Sequence, residues 1–328
     1  MEKAIKAKNI IDGKSKNRNL NPIIIAVCVI LVLYSLTMFI ILGWGFLTSL
    51  KSSIDFISKR NVLGWPDAEL SAAELQFNNY KIVFTIFEYK TNGVNYNSAI
   101  WGKISRAGEF VGFGDFVVNS FVYALVGSFV QSFVCMTAAF MCCKYRYKFS
   151  YFIYTMLLVI MTIPIVGNQP STIQVLYDLG IYDTYFAMFI MSANMCGMYY
   201  FVYFAFFHTI SDTYMEAAEI DGSSQLMTYL RIVIPLSAKM LGTIMLINFI
   251  TLWNNYTVPM MYYPTKPTLA QAIYAMSNNT LHVPNQFYNQ NIPQRVAGCM
   301  VLAIPMIILF IALKNVILGN LSMGGLKE

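Results

Sequence analysis

Residues 216–235 read EAAEIDGSSQLMTYLRIVIP. Three acids, Glu216, Glu219 and Asp221, crowd ahead of Gly222 in a chain that otherwise avoids charge. On either side lie long runs without Asp, Glu, Lys or Arg, Thr184–Ser211 and Met240–Thr265. Working outward, Pro22–Leu50, Phe116–Cys143, Phe149–Tyr177 and Val296–Leu313 share that property. A bilayer core needs about 20 apolar residues per helix, so six such stretches predict six membrane spans. The last is the shortest, and Arg295 and Lys314 bracket it as interfacial anchors would. A further uncharged stretch, Pro267–Gln294, is crowded with Asn, Gln and Pro and reads as a loop.

Composition points the same way. Of 328 residues, 57% are hydrophobic and 12% charged, whereas soluble domains carry about 25% charged residues. The expected fold is an all-α polytopic membrane protein. The first apolar run exceeds a signal peptide's core and lacks a small-x-small site after it, so it reads as an uncleaved helix. Cys28, Cys135, Cys142, Cys143, Cys196 and Cys299 fall in or beside the runs. They lack metal-ligand spacing and read as small packing residues. His208 and His282 are isolated. Gly13-Lys14-Ser15 has Lys8 where a phosphate loop needs its first Gly, so it is no nucleotide site.

Lys and Arg favour cytoplasmic loops. The tail carrying Lys3, Lys6, Lys8, Lys14, Lys16 and Arg18 is therefore placed inside, as is the loop with Lys144, Arg146 and Lys148. The turn around Asp178 and Asp183 goes outside. The resulting division is a cytoplasmic tail at 1–21, a first span at 22–50, an extended external loop at 51–115, the core of spans two to six at 116–316 and a cytoplasmic tail at 317–328. The 51–115 loop is basic and so argues against its external placement, but loops of about 60 residues or more cross largely regardless of charge. Its aromatic and Asn content suggests an ordered cap, and Tyr80–Tyr89 suits either an interfacial helix or a strand.

The opening stretch then faces the cytoplasm. Ser211 or Asp212 can cap a helix start, and Glu216 and Glu219 sit early in that helix, where its dipole favours anions. Ala217 and Ala218 leave a smooth face for a partner. Gly222 breaks the helix, with a left-handed turn or close backbone contact as its expected use. Leu226, Leu230 and Ile234 then fall four apart on one stripe, and Pro235 marks the start of the fifth span. Two short helices meeting at roughly a right angle would form a rigid docking knob.

Glu216-Ala217-Ala218, three residues, Gly222, nine residues and Ile232-Val233-Ile234-Pro235 resemble the EAA motif of bacterial ABC importer permeases. The departure is Ile234, where the motif has Leu. Glu219-Ile220-Asp221-Gly222, Asn119-Ser120, Trp253-Asn254 and the tail LGNLSMGGLKE, with Gly319, Gly324 and Lys327 in register, resemble the carbohydrate branch. Glu328 stands where that branch closes on Gly. The resemblance covers residues 116–328 well, the first span weakly and the 51–115 loop not at all.

It implies a maltose-type permease, the second of two that form a heterodimer. An external lipoprotein would deliver a sugar or oligosaccharide. Two cytoplasmic ATPases would bind ATP and Mg, this chain holding no cofactor and no metal. The EAA loop at 212–235 becomes the coupling helix, with Glu216, Ala217, Ala218, Asp221, Gly222 and Pro235 as its site residues. The chain is a non-catalytic subunit of the bacterial cell membrane with both termini cytoplasmic. Met260–Arg295 resembles the external loop that reaches toward the binding protein.

Polar residues inside the runs include Asn119, Gln131, Asn194, Asn248, Asn254 and Asn255. Interhelical hydrogen bonding accounts for such groups. Asn248 and Asn254 are in addition candidates for a wet sugar path. Trp253 suits an interfacial anchor, and Pro164 and Pro305 suit helix kinks. A glycerol phosphate ester is the alternative cargo, although the spans hold no basic residue to meet an anion. A self-sufficient secondary transporter is the alternative class; proton- or sodium-coupled carriers use intramembrane ionisable groups, and His208 at a run's end is the nearest candidate.

Overall fold

The computed structural model describes the backbone of residues 22–57, 62–66, 75–86, 89–145, 147–163, 166–278 and 292–321, with side chains up to 312 other than 86, 89 and 148. Four helices are long and apolar enough to cross a membrane. They are α1 (Pro22–Ser49), α4 (Phe113–Lys144), α10 (Gln225–Trp253) and α13, whose apolar part is Ile292–Ala312 and whose backbone continues to Leu321. That last helix therefore passes the 316/317 boundary drawn from sequence.

The expected third and fourth spans are each divided. The third is α5 (Lys148–Thr162) followed by α6 (Gln169–Asp178). Ile163, the residue before a proline, is extended at φ −90°, ψ 115°, as the steric demand of a following Pro requires. Pro164 itself lies outside the described residues. The fourth is α7 (Tyr185–Ser192) followed by α8 (Met198–Thr209). Between them the Asn194 side chain accepts the Cys196 N–H at 2.8 Å, a local bond that competes with helical pairing.

The 51–115 region is ordered over its described parts. It holds α2 (Ser53–Ile57), α3 (Asn78–Ile86), and two antiparallel pairs: β1 (Tyr89–Lys90) with β4 (Phe110–Val111), and β2 (Val94–Ser98) with β3 (Gly102–Arg106). The Tyr80–Tyr89 segment thus supplies most of a helix and the start of a strand. Asn79 Nδ2 donates to the carbonyls of Ser49 (2.8 Å) and Lys51 (2.9 Å), satisfying acceptors left open at the end of α1. Lys51 is buried, and that burial pushes its ammonium pKa down against the opposing pull of Asp55.

Pro267–Gln294 is not simply a loop. After α11 (Thr257–Tyr262), a helix α12 (Leu269–Ser277) is capped by Thr268 and buries Leu269, Ala270, Ala272, Ile273 and Met276. It packs with Val83 of α3, Phe116 of α4, Trp253 of α10 and Ala297 and Val301 of α13 in one core. The loop expectation fails for Leu269–Ser277, where burial against three long helices outweighs composition, while 279–291 lie outside the described residues. Trp253 is likewise no interfacial anchor: it is 2% exposed, lies in that core, and donates its indole N–H to the Leu302 carbonyl at 3.2 Å. A second core, with Met136, Phe140, Tyr203, Phe207 and Val233, fills the half of the bundle that carries the 216–235 stretch. Pro305 lies inside α13.

Candidate functional site

The EAA stretch forms α9 (Thr213–Ile220), and its end has a physical cause. Gly222 adopts φ +74°, its N–H donates to the Glu219 carbonyl at 3.0 Å, and the Ser223 N–H donates to the Ala218 carbonyl at 2.9 Å. This pair of bonds is the glycine-terminated helix end that a left-handed residue permits. A Cβ at Gly222 would meet nothing within 4 Å. The glycine is therefore needed for its torsion rather than for close contact.

Beyond the turn, Ser224 Oγ accepts the Met227 N–H at 3.3 Å and starts α10. The second element of the expected knob is not a separate short helix. It runs without interruption into the long apolar part of α10 through a wide π turn at Tyr229–Val233. Pro235 follows that turn at the first positions of the regular helix. An interior proline lacks an N–H and clashes with the carbonyl four residues back, and a widened turn is one way to relieve both. Pro235 thus stands where the helix changes type within one continuous rod.

The faces of α9 are unequal. Met215 packs against the core and Ala218 is 5% exposed, a spacing of three that puts both on one side. Glu216, Ala217, Glu219, Ile220 and Asp221 are exposed, with Ile220 at 87%. Leu226 (69%) and Leu230 (48%) extend this exposed apolar surface along the start of α10. Ala218 seats the helix on its own chain, so of the two expected smooth positions Ala217 is the one that faces out.

The base of α9 is tied by Lys144. Its ammonium donates to Asp212 Oδ1 at 2.7 Å and to the Ile210 carbonyl at 2.5 Å. Asp212 stands at the cap position of α9 but makes no side-chain cap bond there; its carboxylate turns to Lys144 instead. Ser211 Oγ accepts the Thr213 N–H at 3.3 Å. Tyr145 is close enough to feel Glu219: burial pushes its phenol pKa up, and the Glu219 carboxylate and Tyr147 add to that.

The opposite end of the bundle is held by a second set of contacts. Asn119 donates from Nδ2 to the Pro267 carbonyl at 3.1 Å and accepts the Tyr185 hydroxyl at 2.7 Å. Asp183, fully buried at φ +61°, accepts from the Thr265 N–H (3.1 Å) and Thr265 Oγ1 (2.6 Å). Its own carbonyl accepts Arg106 Nη1 and Lys266 Nζ. Ser98 Oγ donates to the Asp178 carbonyl at 2.9 Å, and Tyr96 stacks on Tyr177 at 4.7 Å between ring centres. Burial pushes the Tyr96 phenol pKa up, against the pull of the Arg106 guanidinium.

Of the residues expected along a sugar path, Asn248 is buried and donates to Ser132 Oγ at 3.0 Å, joining α10 to α4. Asn254 is exposed and bonds back to the Ile250 carbonyl of its own helix at 2.8 Å. The described residues contain no cluster of metal-ligating groups.

Residues 131–322 match the family described as Binding-protein-dependent transport system inner membrane component, more than half of the chain. The chain belongs to this family. As an inner membrane component it is 25% identical over 287 residues to the Melibiose/raffinose/stachyose import permease protein MelC of Bacillus subtilis (strain 168), covering 85% of this chain and 88% of that one. It is 28% identical over 171 residues to the sn-glycerol-3-phosphate transport system permease protein UgpE of Pectobacterium atrosepticum, covering 50% of this chain and 60% of that one. A crystal structure of a bacterial ABC transporter involved in the import of the acidic polysaccharide alginate includes a chain with the same fold. The TM-score is 0.66 at 19% identity, over 91% of this chain and 98% of that one. The protein is thus a permease subunit of a binding-protein-dependent ABC importer in the bacterial plasma membrane. Its family is one of transport subunits.

Sequence reasoning missed the roles of Lys144, Asp212 and Asp183. In the sequence Lys144 serves only to orient the chain. The signal for it was positional: it is the first charge after the Phe116–Cys143 run, as Asp212 is the first after Thr184–Ser211.

Proposed function

We propose that this permease is half of a heterodimeric pathway for a sugar or oligosaccharide, and that its 212–235 loop docks in a cytoplasmic ATPase. The observation that carries the docking reading is the outward display of Glu216, Ala217, Ile220 and Leu226 around the Gly222 turn. An apolar patch rimmed by acids on a rigid turn is the surface of a protein interface. Glu216 makes a polar contact with the ATPase, and Gly222 and Asp221 shape the turn. In this reading the chain crosses the membrane six times, the third and fourth crossings being the paired helices α5–α6 and α7–α8. Both termini lie in the cytoplasm, and the ordered 51–115 region caps the outer end. The first span, exposed along most of its length, offers surface to lipid and to the second permease. Two ATPase subunits bind the ATP and Mg, and an external lipoprotein delivers the cargo.

The sugar reading is supported by the naming of MelC, which matches along most of both chains. It is supported also by the long apolar runs, which hold no basic residue, since an anionic cargo favours cations along its path. The glycerol phosphate ester of the UgpE name is the second reading. A thermal-shift screen of the neighbouring binding protein against raffinose, melibiose and sn-glycerol-3-phosphate separates them: stabilisation by the phosphate ester alone overturns the sugar reading. For docking, Gly222→Arg or Glu216→Lys should abolish transport in a protein that still inserts, and wild-type uptake by either variant sinks the assignment.

A further inference from the structure

One ammonium touches three helix ends at the base of the EAA loop. Lys144 is the last residue of α4. Ile210, whose carbonyl it binds, is the C-cap of α8, and Asp212, whose carboxylate it binds, is the N-cap of α9. Each contact suits the local field: a cation is favoured at the carbonyl ends of α4 and α8, and the carboxylate completes its coordination.

The pair is unequal in exposure. The Lys144 side chain is 8% exposed and that of Asp212 55%. A partner so open to water leaves such a bridge a small contributor to stability. Packing seats the Met215 and Ala218 face of α9, whereas its Asp212 end borders open space. A cavity of about 940 Å³ adjoins the bridge, lined by Cys142, Tyr147, Tyr154, Phe204 and His208 beside Lys144 and Asp212. Beside that space, the direction of α9 relative to α4 and α8 is set by the seating of Met215 and Ala218 together with the directional polar bonds of Lys144.

We propose that Lys144 is the positioning residue that transmits motion between the EAA helix and the second and fourth spans of the transporter. The inference rests on the docking reading given above. A displaced α9 carries Asp212 with it; Asp212 pulls Lys144 and hence the end of α4, while the shared Ile210 carbonyl keeps α8 in step. Without the ammonium, α9 still projects Ile220 and still docks, but its movement no longer passes directly to the end of α4.

The test uses the assembled transporter, purified with its partners through a tag on this chain. An environment-sensitive fluorescent residue at exposed Met260, in α11 at the opposite end, reports the ATP-driven change. Lys144→Gln should co-purify the ATPases and hydrolyse ATP, yet give about tenfold less signal per ATP, a loss of ~1.4 kcal/mol of coupling free energy. Lys144→Arg, which can still reach both acceptors, should keep most of the signal. An undiminished signal in Lys144→Gln overturns the proposal. So does equal loss in Gln and Arg variants, or loss of the ATPases from Lys144→Gln, which would make the residue one of packing or assembly. The docking reading fails separately, if Ile220→Glu retains the ATPases and the full signal.

Discussion

Ser120 Oγ accepts the backbone N–H of Leu269 at 2.7 Å while donating to the Phe116 carbonyl of its own helix at 2.7 Å. Together with Asn119, it pins the start of the buried α12 helix to the second span, across almost half of the chain's length. Both partners are buried. Removing the hydroxyl leaves a buried donor unpaired, at a cost of about 1–3 kcal/mol. Ser120→Ala should lower the thermal midpoint of the detergent-solubilised transporter, and Ser120→Thr should restore most of it. A midpoint unmoved by Ser120→Ala would show that the bond contributes nothing there.

At Gly222 the cost of substitution is torsional, since the site has room for a side chain but sits at φ +74°. Gly222→Asn should transport close to wild type, because Asn enters the left-handed region readily. Gly222→Ala should carry about 1–2 kcal/mol of strain and Gly222→Val more. Uptake should therefore fall in the order Gly, Asn, Ala, Val. An order that instead follows side-chain size would mean a partner fills the space.

Asp183 combines a positive φ with buried acceptor duty toward Thr265. Asp183→Asn keeps one acceptor and the tolerance for the left-handed region. Asp183→Ala loses both and should destabilise by about 1–3 kcal/mol more. Protease sensitivity of the 51–115 and 263–268 segments should rise in the Ala variant first, since Arg106 and Lys266 bind the same residue's carbonyl. Equal behaviour of the two variants would show that the carboxylate bonds do not hold these segments.

Asn248 and Ser132 bridge two spans. If that bond is Asn248's role, a double-mutant cycle with Asn248→Ala and Ser132→Ala should give a coupling energy near ~0.6 kcal/mol in unfolding. Cargo preference should stay as in wild type. A changed preference among raffinose, melibiose and sn-glycerol-3-phosphate in Asn248→Ala would instead return this residue to the substrate path.

Much of the architecture was legible in residues 22–50, 116–143 and 240–253, because a bilayer imposes length and apolarity on a helix and both can be counted. The EAA loop was legible too, through Gly222 and the spacing to Pro235. Two errors share one cause. Pro267–Gln294 read as a loop, and Trp253 as an interfacial anchor, because composition was taken for exposure. In the fold Leu269–Ser277 of that stretch and Trp253 lie against α13 and α4, where burial overrides a polar or amphipathic appearance. The divided third and fourth spans were hidden for the opposite reason. Their breaks at Ile163 and Asn194 are backbone events inside stretches that stay apolar throughout.

The sequence alone determined which segments must leave water and where the chain must turn: charge-free length decides the first, and the torsional freedom of Gly222 the second. Tertiary structure alone decided which ends meet. Lys144 lies 68 residues from Asp212, and Arg106 lies 77 from Asp183. Hydrogen bonds of that span depend on how helices pack, and no local pattern in the chain encodes them.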